Sequence, residues 1–111
     1  MSSRKSVLID CDPGIDDALA ILFALASDNL KVAGLTTVYG NVGVDRSTEN
    51  LINILGLTNL SCIPRIGKGA ARPLFAKSLG ERLVHGKDGL GNTDLATGRE
   101  GVEIEDACEL A

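Results

Sequence analysis

The sequence predicts an α/β fold, an open and mainly parallel sheet with helices on both faces. Three observations carry this. Short β-favouring runs alternate with helix-forming runs over residues 6–64, turn residues punctuate each change, and the densest group of chemistry-bearing side chains falls where a strand gives way to a helix. Such alternation calls for right-handed crossovers, which build parallel sheets with helices packed on them.

Ser6-Val7-Leu8-Ile9 is the first strand, ending in carboxylates and the Pro13-Gly14 turn. From Asp16 the chain turns to strong helix formers, apolar on almost every side, which predicts a helix covered on several faces and ending near Ser27-Asp28-Asn29. Residues 30–38 read as the second strand, closed by Tyr39-Gly40-Asn41, and residues 45–55 as the second helix, with apolar Leu51, Ile52, Ile54 and Leu55. A third strand is expected at residues 60–64, followed by a loop from Gly67 to Pro73. Periodicity is weak between Phe75 and Gly101, and glycines mark loops there. Residues 103–111 read as a first helical turn, with acidic residues near its positive end. Three parallel strands leave an open sheet edge and the last helix has barely begun, so residues 1–111 are expected to be a fragment of one domain, cut within a helix near residue 111, or else a small subunit whose edge another chain covers.

Charge and composition narrow the partners. Apolar residues form 44% and charged residues 23% of the 111, the balance of a folded globular chain. Fifteen acidic against eleven basic residues give a net charge of -4 with no basic stripe, which argues against a nucleic-acid partner. The apolar stretch 18–26 is too short to span a bilayer, and the polar start has no signal-peptide core behind it, so no membrane partner and a cytoplasmic location are expected. Cys11, Cys62 and Cys108 are widely spaced without a CxxC pair, suggesting three small buried thiols rather than a disulfide framework or a zinc site.

The chemistry concentrates in Asp10, Asp12, Asp16 and Asp17, which lie within eight residues and are expected to converge on one small volume. Two carboxylates about 4 Å apart repel by roughly 4 kcal/mol at an effective dielectric of about 20, so the cluster calls for protons or a cation. A hard divalent ion with oxygen ligands suits it, and ligands of open α/β sheets bind outside the carboxyl ends of the strands. The blander alternative makes Asp16 and Asp17 a helix cap, with Asp10 and Asp12 as solvated turn residues. An EF-hand is excluded, because counting from Asp10 places Ile15 where glycine is required and Ile21 where a bidentate glutamate is required. No GxxxxGK[ST] loop occurs, and Gly67-Lys68-Gly69 reads as an ordinary turn.

Asp10-Cys11-Asp12-Pro13-Gly14-Ile15-Asp16-Asp17-Ala18 after an apolar strand resembles the signature of the inosine-uridine-preferring nucleoside hydrolases. Thr36-Thr37-Val38-Tyr39-Gly40-Asn41 is similar to that family's second-strand motif, and His85-Gly86-Lys87-Asp88-Gly89-Leu90-Gly91 to its later loop. The first motif is highly specific and the others moderately so. The resemblance runs in order over essentially the whole chain and implies the N-terminal portion of a Rossmann-like fold.

It further implies hydrolysis of the N-glycosidic bond of ribonucleosides to ribose and free base, in purine and pyrimidine salvage, by a calcium-bound water. Carried over residue by residue, Asp12 and Asp17 coordinate calcium and Asp12 is the catalytic general base. Asp16 hydrogen-bonds a ribose hydroxyl, Asn41 positions water and sugar, His85 approaches the nucleobase, and Asp10 supports from behind. Tyr39 reads as a packing residue. The chemistry is coherent, because a carboxylate beside a calcium-held water is still needed to take its proton. A carboxylate-rich site also favours the positive charge that builds on the ribosyl centre.

The family implies a dimer or tetramer of full-length chains. Its members are more than twice as long, so this segment alone is expected to bind calcium weakly and turn over little. Two other functions compete. A magnesium-dependent haloacid-dehalogenase-like phosphatase would use Asp10-Cys11-Asp12, but Gly14 stands where that family prefers Thr or Val, and the Asp16-Asp17 pair has no use there. A non-catalytic ribose- or nucleoside-binding module would keep the fold without turnover.

Overall fold

The computed structural model describes residues 3–72, 87–91, 98 and 101–111. Its elements run β1 (Lys5–Cys11), α1 (Ile15–Ala26), β2 (Leu30–Thr37), α2 (Val44–Leu55), β3 (Arg65–Lys68), β4 (Ile104–Asp106) and α3 (Ala107–Leu110). The four strands are all parallel and lie in the order β1-β2-β3-β4.

Side chains alternate across a strand, and β2 shows which helix each face meets. Thr37 Oγ1 lies 2.7 Å from Thr48 Oγ1 of α2, and Leu35 packs in the core with Ile21 of α1 and Leu51 and Ile54 of α2. On the other face a Cβ at Gly34 would fall 2.8 Å from Leu110 of α3. Helices therefore lie on both faces, α1 and α2 on one and the short α3 against part of the other. The core joins Cys11, Ile21, Leu35, Leu51, Ile54, Leu55, Ile66 and Leu90, and burying each large aliphatic side chain contributes about 1.5–3 kcal/mol.

Five expectations need correction. The third strand starts at Arg65, not at residue 60, because Pro64 has no N–H for the ladder, and Gly67 and Lys68 pair with Thr36 and Thr37 instead of forming a turn. Residues 104–106 form β4 before α3 begins. That three-residue strand is held by pairing with β3 and by Arg65, whose Nε and Nη2 donate to Glu105 Oε2 and Oε1 at 2.8 and 2.6 Å.

The first helix is covered on one face only among the described residues, where Ile21 and Ala24 are buried, while Ile15, Leu19 and Phe23 recur every four residues along an exposed stripe. Only Cys11 of the three free thiols is buried. Cys62 lies in the connection before β3, and Cys108 lies on α3, a four-residue helix with no buried side chain. Among the described residues no helix is long and apolar enough to cross a membrane.

Candidate functional site

Parallel pairing places the carboxyl ends of β1 and β2 side by side, with Cys11 in register with Thr37. The loops leaving those ends share an edge, and Val38 N continues the ladder to Cys11 O at 3.1 Å. Beyond it the β2 loop closes on Asp12. The Asn41 backbone amide donates to Asp12 Oδ2 at 3.0 Å, and its side-chain amide donates to Asp12 O at 2.8 Å. Gly40 lies so close that a Cβ there would fall 2.8 Å from Asp12 Cγ. The carboxylate is thereby held by one loop while its backbone belongs to the other.

Asp10 is fixed differently, within the sheet. Thr36, its register partner on β2, donates Oγ1 to Asp10 Oδ1 at 2.7 Å. Asp16 and Asp17 occupy the first turn of α1, where negative charge interacts favourably with the helix dipole. They do not cap it: the N-cap is Gly14, with extended backbone and no side-chain cap bond. Asp17 is half-buried and Asp16 exposed.

The electrostatics register in Cys11. Burial, and then the charges of Asp17, Asp10 and Asp12 in that order, push its thiol up to about 12. The end of β1 is thus a region of negative potential that favours a cation. The four carboxylates do not, however, collapse into one cage. Among the described residues no group of three or more His, Cys, Asp or Glu is placed to hold a metal ion. Asp10 is committed to Thr36, and the neighbours Asp16 and Asp17 diverge by about 100° around the helix.

Donor chemistry fits a hard cation in kind, since the candidates are carboxylate oxygens, and Asp12 keeps acceptor capacity beyond its bond from Asn41. In number it falls short of the roughly 6–8 oxygens that calcium takes. These residues fit part of a coordination shell.

The structure brings Asp12 and Asn41 into direct contact, places Asp17 near Cys11, and leaves Asp10 and Asp16 on separate supports. His85 lies outside the described residues. The nearby stretch 87–91 is described and packs against the Asp12 turn, with Gly89 close to Pro13 O and Gly91 close to Ile15. Sequence reasoning missed two contributors, Thr36 and Gly40. Thr36 and Gly40 were within reach, since a threonine at the end of a buried strand needs an acceptor and a glycine beside Asn41 signals a close approach.

The sequence matches the family model described as inosine-uridine preferring nucleoside hydrolase over residues 7–110. It is 43% identical over 97 residues to the probable uridine nucleosidase 2 of Arabidopsis thaliana, covering 86% of this chain and 30% of that protein. It is 42% identical over 84 residues to a pyrimidine-specific ribonucleoside hydrolase, RihA, of Escherichia coli, covering 76% of this chain and 27% of that protein. The fold superposes on a plant nucleoside hydrolase with a TM-score of 0.72 at 38% identity, covering 92% of this chain and 33% of that one. A purine-preferring ribonucleoside hydrolase from Gardnerella vaginalis gives a TM-score of 0.82 at 28% identity, covering 95% and 34%. The chain spans about 30% of the length of the curated relatives it matches. With a family-model match over residues 7–110 and relatives about 40% identical, the chain belongs to the inosine-uridine preferring nucleoside hydrolase family.

Proposed function

We propose that this chain supplies the water-activating side of a ribonucleoside hydrolase site, cleaving the N-glycosidic bond to ribose and free base. The observation that supports it most is the double hold of Asn41 on Asp12 at the carboxyl edge of β1 and β2. A base must be oriented before it can take a proton efficiently, and two bonds from a neighbouring loop provide that orientation.

Asp12 accepts the proton of the attacking water as the water oxygen bonds to the anomeric carbon and the C–N bond breaks. Asp12 and Asp17 also contribute oxygens to a calcium ion, which when bound supplies Lewis acidity toward that water. Asn41 keeps the Asp12 carboxylate facing water and sugar. Asp16, exposed at the start of α1, receives a ribose hydroxyl. Asp10 supports the edge through Thr36, and His85 meets the nucleobase. The carboxylates favour the positive charge that develops on the ribosyl ring.

In this reading residues 1–111 are the N-terminal part of a single domain. The remaining calcium ligands and the acid for the departing base come from elsewhere in the full-length protein, a cytoplasmic salvage enzyme working as a dimer or tetramer. The segment alone binds calcium weakly and turns over little.

The test is ribose release from uridine and from inosine by the full-length protein with calcium. Stoichiometric ribose and free base from either nucleoside is the expected result. Nucleoside binding with no product at excess calcium would instead establish a binding module, and magnesium-dependent phosphatase turnover without nucleoside cleavage would overturn the assignment altogether.

A further inference from the structure

We propose that Asn50 is a positioning residue for the Asp12–Asn41 pair, acting through the 87–91 loop that it clamps between the two loops carrying that pair.

Asn50 is an amide on a helix whose neighbouring Leu51, Ile54 and Leu55 are fully buried, and it is itself only 2% exposed. A buried amide needs a partner, and Asn50 Nδ2 donates to Asp88 O at 2.7 Å. Asp88 in turn accepts from Leu90 N through Oδ1 at 2.9 Å, closing a tight turn that drives Leu90 into the core. Gly89, at the apex, has φ +83, a conformation that disfavours any side chain.

Three chain segments meet at this apex. A Cβ on Gly89 would lie 2.9 Å from Asn50 Nδ2, 3.3 Å from Val42 Cγ1 and 3.5 Å from Pro13 O. Val42 follows Asn41, and Pro13 follows Asp12. The loop is therefore a wedge against the residues that flank both members of the hydrogen-bonded pair, and the Asn50 amide sets how deeply it seats. An apolar residue at position 50 could fill the space, but it would not fix the Asp88 carbonyl in direction. Asn50 touches no candidate substrate group, so its effect reaches the site through backbone placement alone.

The inference takes its catalytic consequence from the proposed hydrolase reading, and its structural consequence is independent of it. The variants are Asn50→Asp, nearly isosteric but without the proton for Asp88 O, and Gly89→Ala, which perturbs the same contact from the loop side. Both are made in the full-length protein, singly and together, and read by amide hydrogen exchange and by kcat and KM for the nucleoside hydrolysed. Each single variant should speed exchange of the Asn41 amide by about tenfold, consistent with weakening one hydrogen bond. Each should lower kcat by about ten- to a hundredfold with KM nearly unchanged, as a displaced base requires. The double variant should be little worse than either single, since both disturb one unit.

If Asn50→Asp does not fold, Gly89→Ala carries the same test. Faster exchange confined to residues 87–91, with the Asn41 amide and kcat unchanged, would overturn the proposal and leave Asn50 a loop anchor. If the wild type releases no ribose, the hydrolase reading fails, and exchange at Asn41 still decides the role of Asn50.

Discussion

Asn41 holds Asp12 from two directions, with its backbone amide 3.0 Å from Asp12 Oδ2 and its side-chain amide 2.8 Å from Asp12 O. The two bonds differ in what can remove them. Substitution at position 41 leaves the backbone bond in place and deletes only the side-chain bond to the Asp12 carbonyl. Asn41→Ala should therefore cost about 0.5–1.5 kcal/mol in urea unfolding, the worth of one partly buried hydrogen bond. Asn41→Asp should cost more, because it loses the same bond and also sets a negative charge against the Asp12 carbonyl oxygen and carboxylate. Nucleoside turnover should fall in the same order.

Gly40 should tolerate no side chain. A Cβ there would lie 2.8 Å from Asp12 Cγ, closer than real contacts allow, and a tight 3.0 Å from Asp12 Cβ, so the carboxylate must move. A displacement of about 1 Å at a catalytic group can cost around a hundredfold in rate, and Gly40→Ala should lose about that much in kcat while remaining folded. Circular dichroism together with ribose release checks both halves.

How much of this was legible beforehand follows from range. β1, α1, β2 and α2 announced themselves through local periodicity, and their observed bounds differ from the expected ones by a residue or two at most ends. β4 could not be read, because Ile104, Glu105 and Asp106 form a strand only by pairing with Ile66, Gly67 and Lys68 across a long connection. β3 lies past the apolar Leu60 and Ile63, because Pro64 has no N–H for the ladder and pairing with β2 begins at Arg65. At the site, the carboxylate motif marked the right edge of the sheet, but sequence spacing alone suggested convergence. Asp10 instead turns to Thr36, a partner 26 residues away that spacing within the motif does not reveal.

The thiols give a direct check on burial. Cys11 is buried and its thiol stays protonated at neutral pH because burial and the nearby carboxylates raise it to about 12, whereas Cys62 and Cys108 are exposed. A water-soluble thiol reagent should modify Cys62 and Cys108 rapidly in the native segment and reach Cys11 only on unfolding. Peptide mapping of the labelled sites reads the result.

Arg65 and Glu105 join β3 to β4 and make a small, signed contribution to pH-dependent stability. Hydrogen bonds from Arg65, aided by its charge and opposed by slight desolvation, hold the Glu105 carboxyl below its ordinary 4.5. Because the folded value is the lower one, the contribution is present in full above the unfolded value and is lost as pH falls through the folded value. Arg65→Gln should lower Tm modestly at neutral pH, the pair being exposed, and the gap to wild type should close in strong acid. Thermal melts across that pH range check it.

Whether Asp12 takes the proton of the attacking water is decided by kcat of full-length Asp12→Asn at saturating calcium and nucleoside. The carboxamide oxygen can still accept the Asn41 amide, so the geometry survives while the base is removed. Asp12→Asn should lower kcat about 10²- to 10⁴-fold, the usual contribution of a positioned general base. A folded variant that keeps kcat within about threefold of wild type would contradict it, since a rate that survives removal of the base cannot have depended on it.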